Sequence, residues 1–331
     1  CKPLRKLLLY SVTVPVGIMS CAGGCGFHGS LRIAGFDGCF CSRCVHSPSI
    51  AVQSEHTLSD APSFVSLRDG ILSFMEPGQY DVGETIVKLK SKEYLHNHSV
   101  VLALLTEQVR FRGKLQTSVS VAEQDSLEVA QCCAEQCRTA VLCFASTREP
   151  GGAFSTGERG TQEEELCYRS TLGGYMMHQQ MLFCDGHYPL ASGTDDPNVA
   201  SHVPNRVVVT PDVQVFRDRS YDLVPSPFEI GVISCAAVVH PRLSRGGGFA
   251  DPVQCECMRS LVRTQLFAAC EHGYQALVLG AFGCGAFRNP PREVARLYRE
   301  VIQQEFTGCF STIVFAVLGD ANFSAFNDAL S

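Results

Sequence analysis

The sequence predicts an α/β protein whose helices cover both faces of a central sheet. Three observations carry that expectation: short apolar runs bounded by turn residues, helical periodicity between the runs, and a composition able to fill a core. The runs are Ala140 to Ser146 (AVLCFAS), Asn205 to Thr210 (NRVVVT), Ile230 to Val239 (IGVISCAAVV), Ala276 to Gly280 (ALVLG) and Thr312 to Leu318 (TIVFAVL). They are β-branched or apolar with little polar alternation, the pattern of strands buried on both faces. Between them Ser126 to Gln136, Gln162 to Leu172, Val253 to His272 and Pro291 to Phe306 repeat at helical spacing. In the last, Val294, Leu297, Tyr298, Val301 and Ile302 fall on one face. His272 followed by Gly273 reads as a helix end, a cation in the last turn and a glycine just past it.

The chain has 331 residues, 45% hydrophobic and 18% charged, with mean hydropathy +0.07. That length fits two domains of about 150 residues, or one large domain with an extension, and the composition excludes wholesale disorder. A net charge of −6 argues against a broad basic face, so no direct DNA binding is expected. Eighteen cysteines are spread along the chain, with Cys132 and Cys133 adjacent in a predicted helix, which favours intracellular free thiols over a disulfide framework.

Residues 1–61 read as a Cys-rich extension and linker, and 62–331 as the folded domain. Lys2, Arg5 and Lys6 precede an apolar stretch from Leu7 to Met19 and then SCAGG, the order of a secretory signal. A buried strand is the plainer alternative, and thirteen residues are too few to span a bilayer comfortably. Cys21-x3-Cys25 and Cys41-x2-Cys44, with Cys39 and His28 nearby, are spaced as a tetrahedral zinc site would be; unpaired cysteines are the simpler reading. His46 to Pro62, rich in Ser, His and Ala, reads as the linker.

In α/β folds ligands sit beyond the carboxyl ends of strands, which directs attention to two loops. One follows Gly280: AFGCGAFRNPP, then a helix. Glycines at 283 and 285 permit positive φ and bring N–H groups close to an anion; Asn289 is placed to cap and Pro290 and Pro291 suit a first turn. An ordinary glycine-rich turn explains the same residues. The other runs from Glu149 to Leu166 (EPGGAFSTGERGTQEEEL). Its paired glycines allow a ligand to lie against bare backbone, and acidic residues follow at a helix start. Thr161-x-x-Glu164 is also a capping box, so Glu164 has a structural reading, and three acidic residues at a helix N-terminus also suit a solvated face. Successive helical residues point about 100° apart, so Glu163 and Glu164 cannot share one task.

Together the loops resemble the microbial-type poly(ADP-ribose) glycohydrolases, a branch of the macrodomain fold. Gly151-Gly152-Ala153, eight residues, then Gln162-Glu163-Glu164 match the family's glycine triplet and Gln-Glu-Glu, with Leu166-Cys167 after them. GQYDVGETIVKL, SLEVAQ, VLCFAS, TPDVQVFRD, IGVISCAA and LGAFGCGAFRNPPREVA are similar to family segments in the same order, over roughly residues 62 to 320. The resemblance implies a three-layer α/β/α fold with a mixed, mostly parallel sheet, and a hydrolase that cuts the ribose-to-ribose O-glycosidic bond of poly(ADP-ribose) or acts on ADP-ribosylated proteins. It implies that Glu164 is the general acid/base and that Glu163 holds ribose hydroxyls. It further implies that Gly151, Gly152, Ala153 and Gln162 contact substrate, that Gly283, Cys284, Gly285, Ala286 and Phe287 cradle the diphosphate with Phe287 against the ribose, and that no metal or cofactor takes part. One acid/base residue departs from the usual two-carboxylate scheme, and an adjacent phosphate can supply the missing stabilisation of an oxocarbenium ion.

Three positions depart from the pattern. Ala153 replaces the third glycine, at a cost of about 1 kcal/mol or more if that residue needs positive φ. Cys143 stands where relatives carry Asn, and Glu149 adds a carboxylate before Pro150; Ala236 and Ala237 replace proline. An active glycohydrolase is the expected function, a non-catalytic ADP-ribose reader the alternative, and a degenerate relative the third reading. An intracellular location is expected. Cys284 is expected to be a packed thiol, with a lowered pKa from neighbouring N–H groups as the other possibility; Cys255-x-Cys257 is a poor metal pair, and His178, His187 and His240 are read as structural or exposed.

Overall fold

The computed structural model describes residues 63–182, 186–192 and 203–330. The signal-like stretch, the N-terminal cysteine pairs, the linker and its boundary at residue 61 lie outside the described residues.

Seven strands form the central sheet: β1 Val100–Ala103, β2 Ser118–Ala122, β3 Thr139–Phe144, β4 Arg206–Arg217, β5 Leu223–Cys235, β6 Ala276–Leu279 and β7 Thr312–Ala316. Their spatial order is β1-β4-β5-β3-β6-β7-β2. Every pairing from β5 through β3, β6 and β7 to β2 is parallel, and β4 runs antiparallel to both β1 and β5. Eight helices accompany the described strands: α1 Phe64–Met75, α2 Lys92–His98, α3 Ser126–Ala134, α4 Gln162–Arg169, α5 Leu172–Leu182, α6 Pro252–Glu271, α7 Pro291–Glu305 and α8 Asp320–Leu330.

The pleat divides each strand between two cores. Val141 and Cys143 of β3, Val232 of β5, Val278 of β6 and Val314 of β7 join residues of α1 to α5 on one face. Ala140 and Leu142, Ile233, Leu277 with Leu279, and Ile313 with Phe315 join α6 to α8 on the other. The strands are apolar on both sides because both sides are covered, which is the three-layer arrangement expected.

The structure differs from expectation at the edges and at one helix. Strands β1 and β2 close the two edges, and their residues are mostly half-buried or exposed; β2 (SVSVA) alternates with serine, whereas β1 (VVLA) is a short apolar run that the sequence reading did not assign. The helix expected over Gln162 to Leu172 stops at Arg169, because Ser170 is extended (φ −145°, ψ 170°) and bridges Val215 of β4. Its hydroxyl then accepts from the Leu172 N–H at 3.2 Å, and α5 begins there. Among the described residues no helix is long and apolar enough to cross a membrane.

Candidate active site

Beyond the carboxyl ends of β3, β6 and β7 lies a cavity of about 500 Å³, within the range of small-molecule sites. The segment after β3 forms one wall and the 281–287 turn after β6 another, with Ala316 to Leu318 and Asn322 after β7 along the side.

The first wall depends on glycine backbone. Gly151 (φ +79°), Gly152 (φ +56°) and Gly157 (φ +77°) occupy left-handed conformations around the short turn Gly152–Thr156. A Cβ on Gly152 would lie 2.3 Å from Glu164 Oε1 and 3.3 Å from Glu163 Oε2, so the chain approaches both carboxylates where only hydrogen fits. Helix α4 then presents the acidic residues from its first turn. Glu163 accepts from the Ser146 N–H (Oε2, 2.7 Å) and the Gly151 N–H (Oε1, 3.0 Å). Glu164 accepts from the Ala153 N–H (Oε1, 3.0 Å) and the Thr161 N–H (Oε2, 2.6 Å). The capping box is therefore real, and Glu164 does more than cap: its other oxygen ties the glycine turn to the helix. Both side chains are buried, at 1% and 4% exposure, and both line the cavity. Burial pushes the Glu163 carboxyl up to about 8, the charge of Glu164 adds to that, and the two N–H donors oppose it.

The second wall is the turn after β6. Gly283 (φ +71°) packs so tightly that a Cβ would lie 2.4 Å from Ala237 Cβ and 2.6 Å from Asn289 Nδ2. Asn289 does not cap α7, whose N-cap is Pro290. It is buried and braces the turn instead, its Nδ2 donating to Val238 O (2.7 Å) and Gly283 O (3.0 Å) and its own N–H to Gly283 O (3.0 Å). The Cys284 and Arg288 N–H groups are used within the turn. Among the described residues, those of Gly285, Ala286 and Phe287 meet no protein acceptor, which leaves a short row of donors at the head of α7 for an anion.

Of the residues the sequence singled out, Gly152, Gln162, Glu163, Glu164, Gly283, Gly285, Ala286 and Phe287 line the cavity. Gly151, Ala153 and Cys284 do not: Gly151 and Ala153 act through their N–H bonds to the carboxylates, and Cys284 packs against the α6–α8 core. Burial pushes its thiol up to about 12, the opposite of activation. Gln162 has both ends of its amide engaged on β3, donating to Leu142 O (2.7 Å) and accepting from the Phe144 N–H (2.9 Å). It pins α4 to the strand that carries the site.

The three departures are also placed. Ala153 is absent from the positive-φ positions among the described residues, so the strain expected of a methyl there does not arise. Cys143 is fully buried outside the cavity lining, its thiol pushed well up by burial and by the charge of Glu163. Glu149 is exposed and also outside the lining, so its charge does not enter the cavity. Among the histidines, His187 Nδ1 pairs with the Tyr175 hydroxyl at 2.8 Å, and the His240 N–H donates to Phe287 O at 2.9 Å, supporting the turn. Among the described residues no cluster of three or more His, Cys, Asp or Glu is arranged to hold a metal ion.

Sequence reasoning missed Arg159 and the groups that hold it, Glu165, Phe64 and Tyr221. Their sequence separations carry no periodic signal. It also missed Ser146, whose N–H is one of the two donors to Glu163.

Residues 69–218 match the family described as "Microbial-type PARG, catalytic domain". No curated protein matches the chain. Among solved structures, the poly(ADP-ribose) glycohydrolase from Thermomonospora curvata superposes with a TM-score of 0.67 at 24% identity, over 81% of this chain and 99% of that one. That likeness concerns the fold, which is macrodomain-like. The same enzyme bound to the inhibitor ADP-HPD superposes at 0.63 with 25% identity, over 80% and 98%. The enzyme from Deinococcus radiodurans in complex with ADP-ribose superposes at 0.61 with 29% identity, over 73% and 98%.

Proposed function

We propose that this chain, which carries the microbial-type PARG catalytic domain over residues 69–218, is a hydrolase that cuts the ribose–ribose O-glycosidic bond of poly(ADP-ribose). The observation that carries the reading is the pair of buried carboxylates facing one cavity with an anion cradle opposite.

The cradle of Gly285 to Phe287 receives the diphosphate and Phe287 packs against the adjoining ribose. Glu163, held by two N–H donors, orients ribose hydroxyls. Glu164 is the acid/base. Each of its oxygens accepts one backbone N–H and retains a lone-pair direction for substrate. In its acid form it delivers a proton to the leaving ribose oxygen as the C1–O bond breaks. The resulting carboxylate takes a proton from the water that attacks the oxocarbenium-like anomeric carbon, which restores the acid. Glycine at 152 keeps Glu164 where both events occur.

The catalytic unit is residues 62–331, and its partners are poly(ADP-ribose) or ADP-ribosylated proteins rather than DNA. Action inside the cell suits that substrate.

Release of free ADP-ribose from poly(ADP-ribosyl)ated protein by the full chain, beside Glu164→Gln, tests the reading. Turnover that disappears in the variant while ADP-ribose still binds is the expected result. Binding without turnover in the unaltered chain makes it a reader, and that outcome sinks the hydrolase.

A further inference from the structure

We infer that Arg159 forms a leaving-group subsite, a fork for the phosphates of the polymer unit that departs when the glycosidic bond breaks. The inference rests on the glycohydrolase reading and adds a specificity determinant to it.

Among the described residues Arg159 is the only cationic side chain lining the cavity, whose other ionisable lining groups are Asp125, Glu163, Glu164 and Glu165. It is held in place. Its Nε lies 2.9 Å from Glu165 Oε1, and its guanidinium sits over the rings of Phe64 (5.1 Å) and Tyr221 (5.9 Å). The Tyr221 hydroxyl in turn donates to Glu165 (2.8 Å), fixing the carboxylate that fixes the arginine. Among the described residues neither terminal nitrogen has another acceptor, and the side chain remains 52% exposed. An arginine oriented through Nε and its ring faces, with both Nη groups free, presents the geometry that grips phosphate in two places.

Its place in the cavity selects the occupant. Phe287 and the 281–287 turn pack against the α6–α8 core, whereas Phe64 and Tyr221 pack against the α1–α5 core. The carboxylates hang from α4 at the end of β3, the middle strand of the sheet. Cradle, carboxylates and Arg159 therefore follow one another across the sheet edge. With one diphosphate in the cradle and its ribose at Glu164, the alcohol across the scissile bond leaves toward Arg159. In the polymer that alcohol carries a diphosphate of its own.

The test compares kcat/KM of the full chain on poly(ADP-ribose) and on an ADP-ribose O-glycoside whose leaving alcohol carries no phosphate. Arg159→Met, which keeps an apolar stem over Phe64 and Tyr221, is expected to lower the polymer-to-glycoside ratio about tenfold, the scale of one charge-assisted hydrogen bond. Arg159→Lys is expected to recover part of that ratio, since it keeps the charge without the fork, and added salt should erode the ratio in the unaltered chain. Equal losses on both substrates, or no loss on the polymer, overturn the inference while leaving the hydrolase standing. Failure of the unaltered chain to turn over either substrate overturns the hydrolase reading and this inference with it.

Discussion

Replacing Gly152 with alanine perturbs the site at its tightest point. The new Cβ would stand 2.3 Å from Glu164 Oε1. Relief to ordinary contact requires a shift of about 1 Å, and the far end of the Glu164 side chain is what yields. That shift breaks the 3.0 Å bond from the Ala153 N–H, a charge-assisted hydrogen bond worth about 1.5–3 kcal/mol. Alanine at φ +56° adds roughly 1 kcal/mol, so the expected loss of stability is about 2.5–4 kcal/mol by chemical denaturation. The effect on chemistry is larger, because a 1 Å misplacement of an acid/base group lowers turnover about 100-fold. Ala153→Gly is the control: with no positive φ at 153, restoring glycine should cost only the backbone entropy of roughly 0.5–1 kcal/mol. ADP-ribose release by Gly152→Ala within about threefold of the unaltered chain would refute the view that bare backbone at 152 positions Glu164.

Four further outcomes follow from the same geometry. Glu163, raised to about 8 by burial, keeps a proton in the folded chain that the unfolded chain releases near its ordinary pKa; stability should therefore fall as pH climbs from about 4.5 to 8 and level off above it, and denaturation of Glu163→Gln across that window should show a flatter profile. Asn289→Asp sets a carboxylate against the carbonyls of Val238 and Gly283 and should destabilise the chain by about 2–3 kcal/mol and weaken ADP-ribose binding in a calorimetric titration. Gly283→Ala, with its Cβ 2.4 Å from Ala237 Cβ at φ +71°, should open the same turn and reduce ADP-ribose affinity more than Gly285→Ala, which meets nothing within 4 Å. Glu305→Ala removes the carboxylate that Arg263, only 3% exposed, bonds through Nε (2.6 Å) and Nη2 (3.0 Å), leaving it the Leu105 and Thr106 carbonyls and Glu256 at 3.9 Å, and should cost about 3 kcal/mol in a denaturation midpoint series.

Much of the fold was legible because its strands are buried twice over. Runs such as AVLCF and IVFAV, within AVLCFAS and TIVFAVL, carry apolar residues at every position, since neighbours on both faces require them. Edge strand β2 (SVSVA) escaped because one of its sides lacks a partner strand, so burial no longer dictates its residues, whereas β1 (VVLA) is apolar throughout but only four residues long and mostly exposed. The break at Ser170 escaped for a related reason. A bridge to Val215, 45 residues away, outweighs the helical pattern on either side, and local periodicity holds no record of it.

In the site, sequence alone determined the components whose requirement is local: the left-handed glycine at 283, though not the one expected at 285, the Thr161–Glu164 capping box, and the order in which a strand, a glycine turn and an acidic helix start follow one another. These are settled by φ, by helix geometry and by spacing within a few residues. Only the tertiary structure decided which groups meet. It turned Asn289 from a cap into a brace, spent both ends of the Gln162 amide on β3, carried Cys143 and Glu149 away from the cavity, and set Arg159 between Phe64, Glu165 and Tyr221. Those outcomes depend on contacts across the sheet edge between residues tens to hundreds of positions apart. Packing two layers against one sheet fixes such contacts, and short-range pattern cannot encode them.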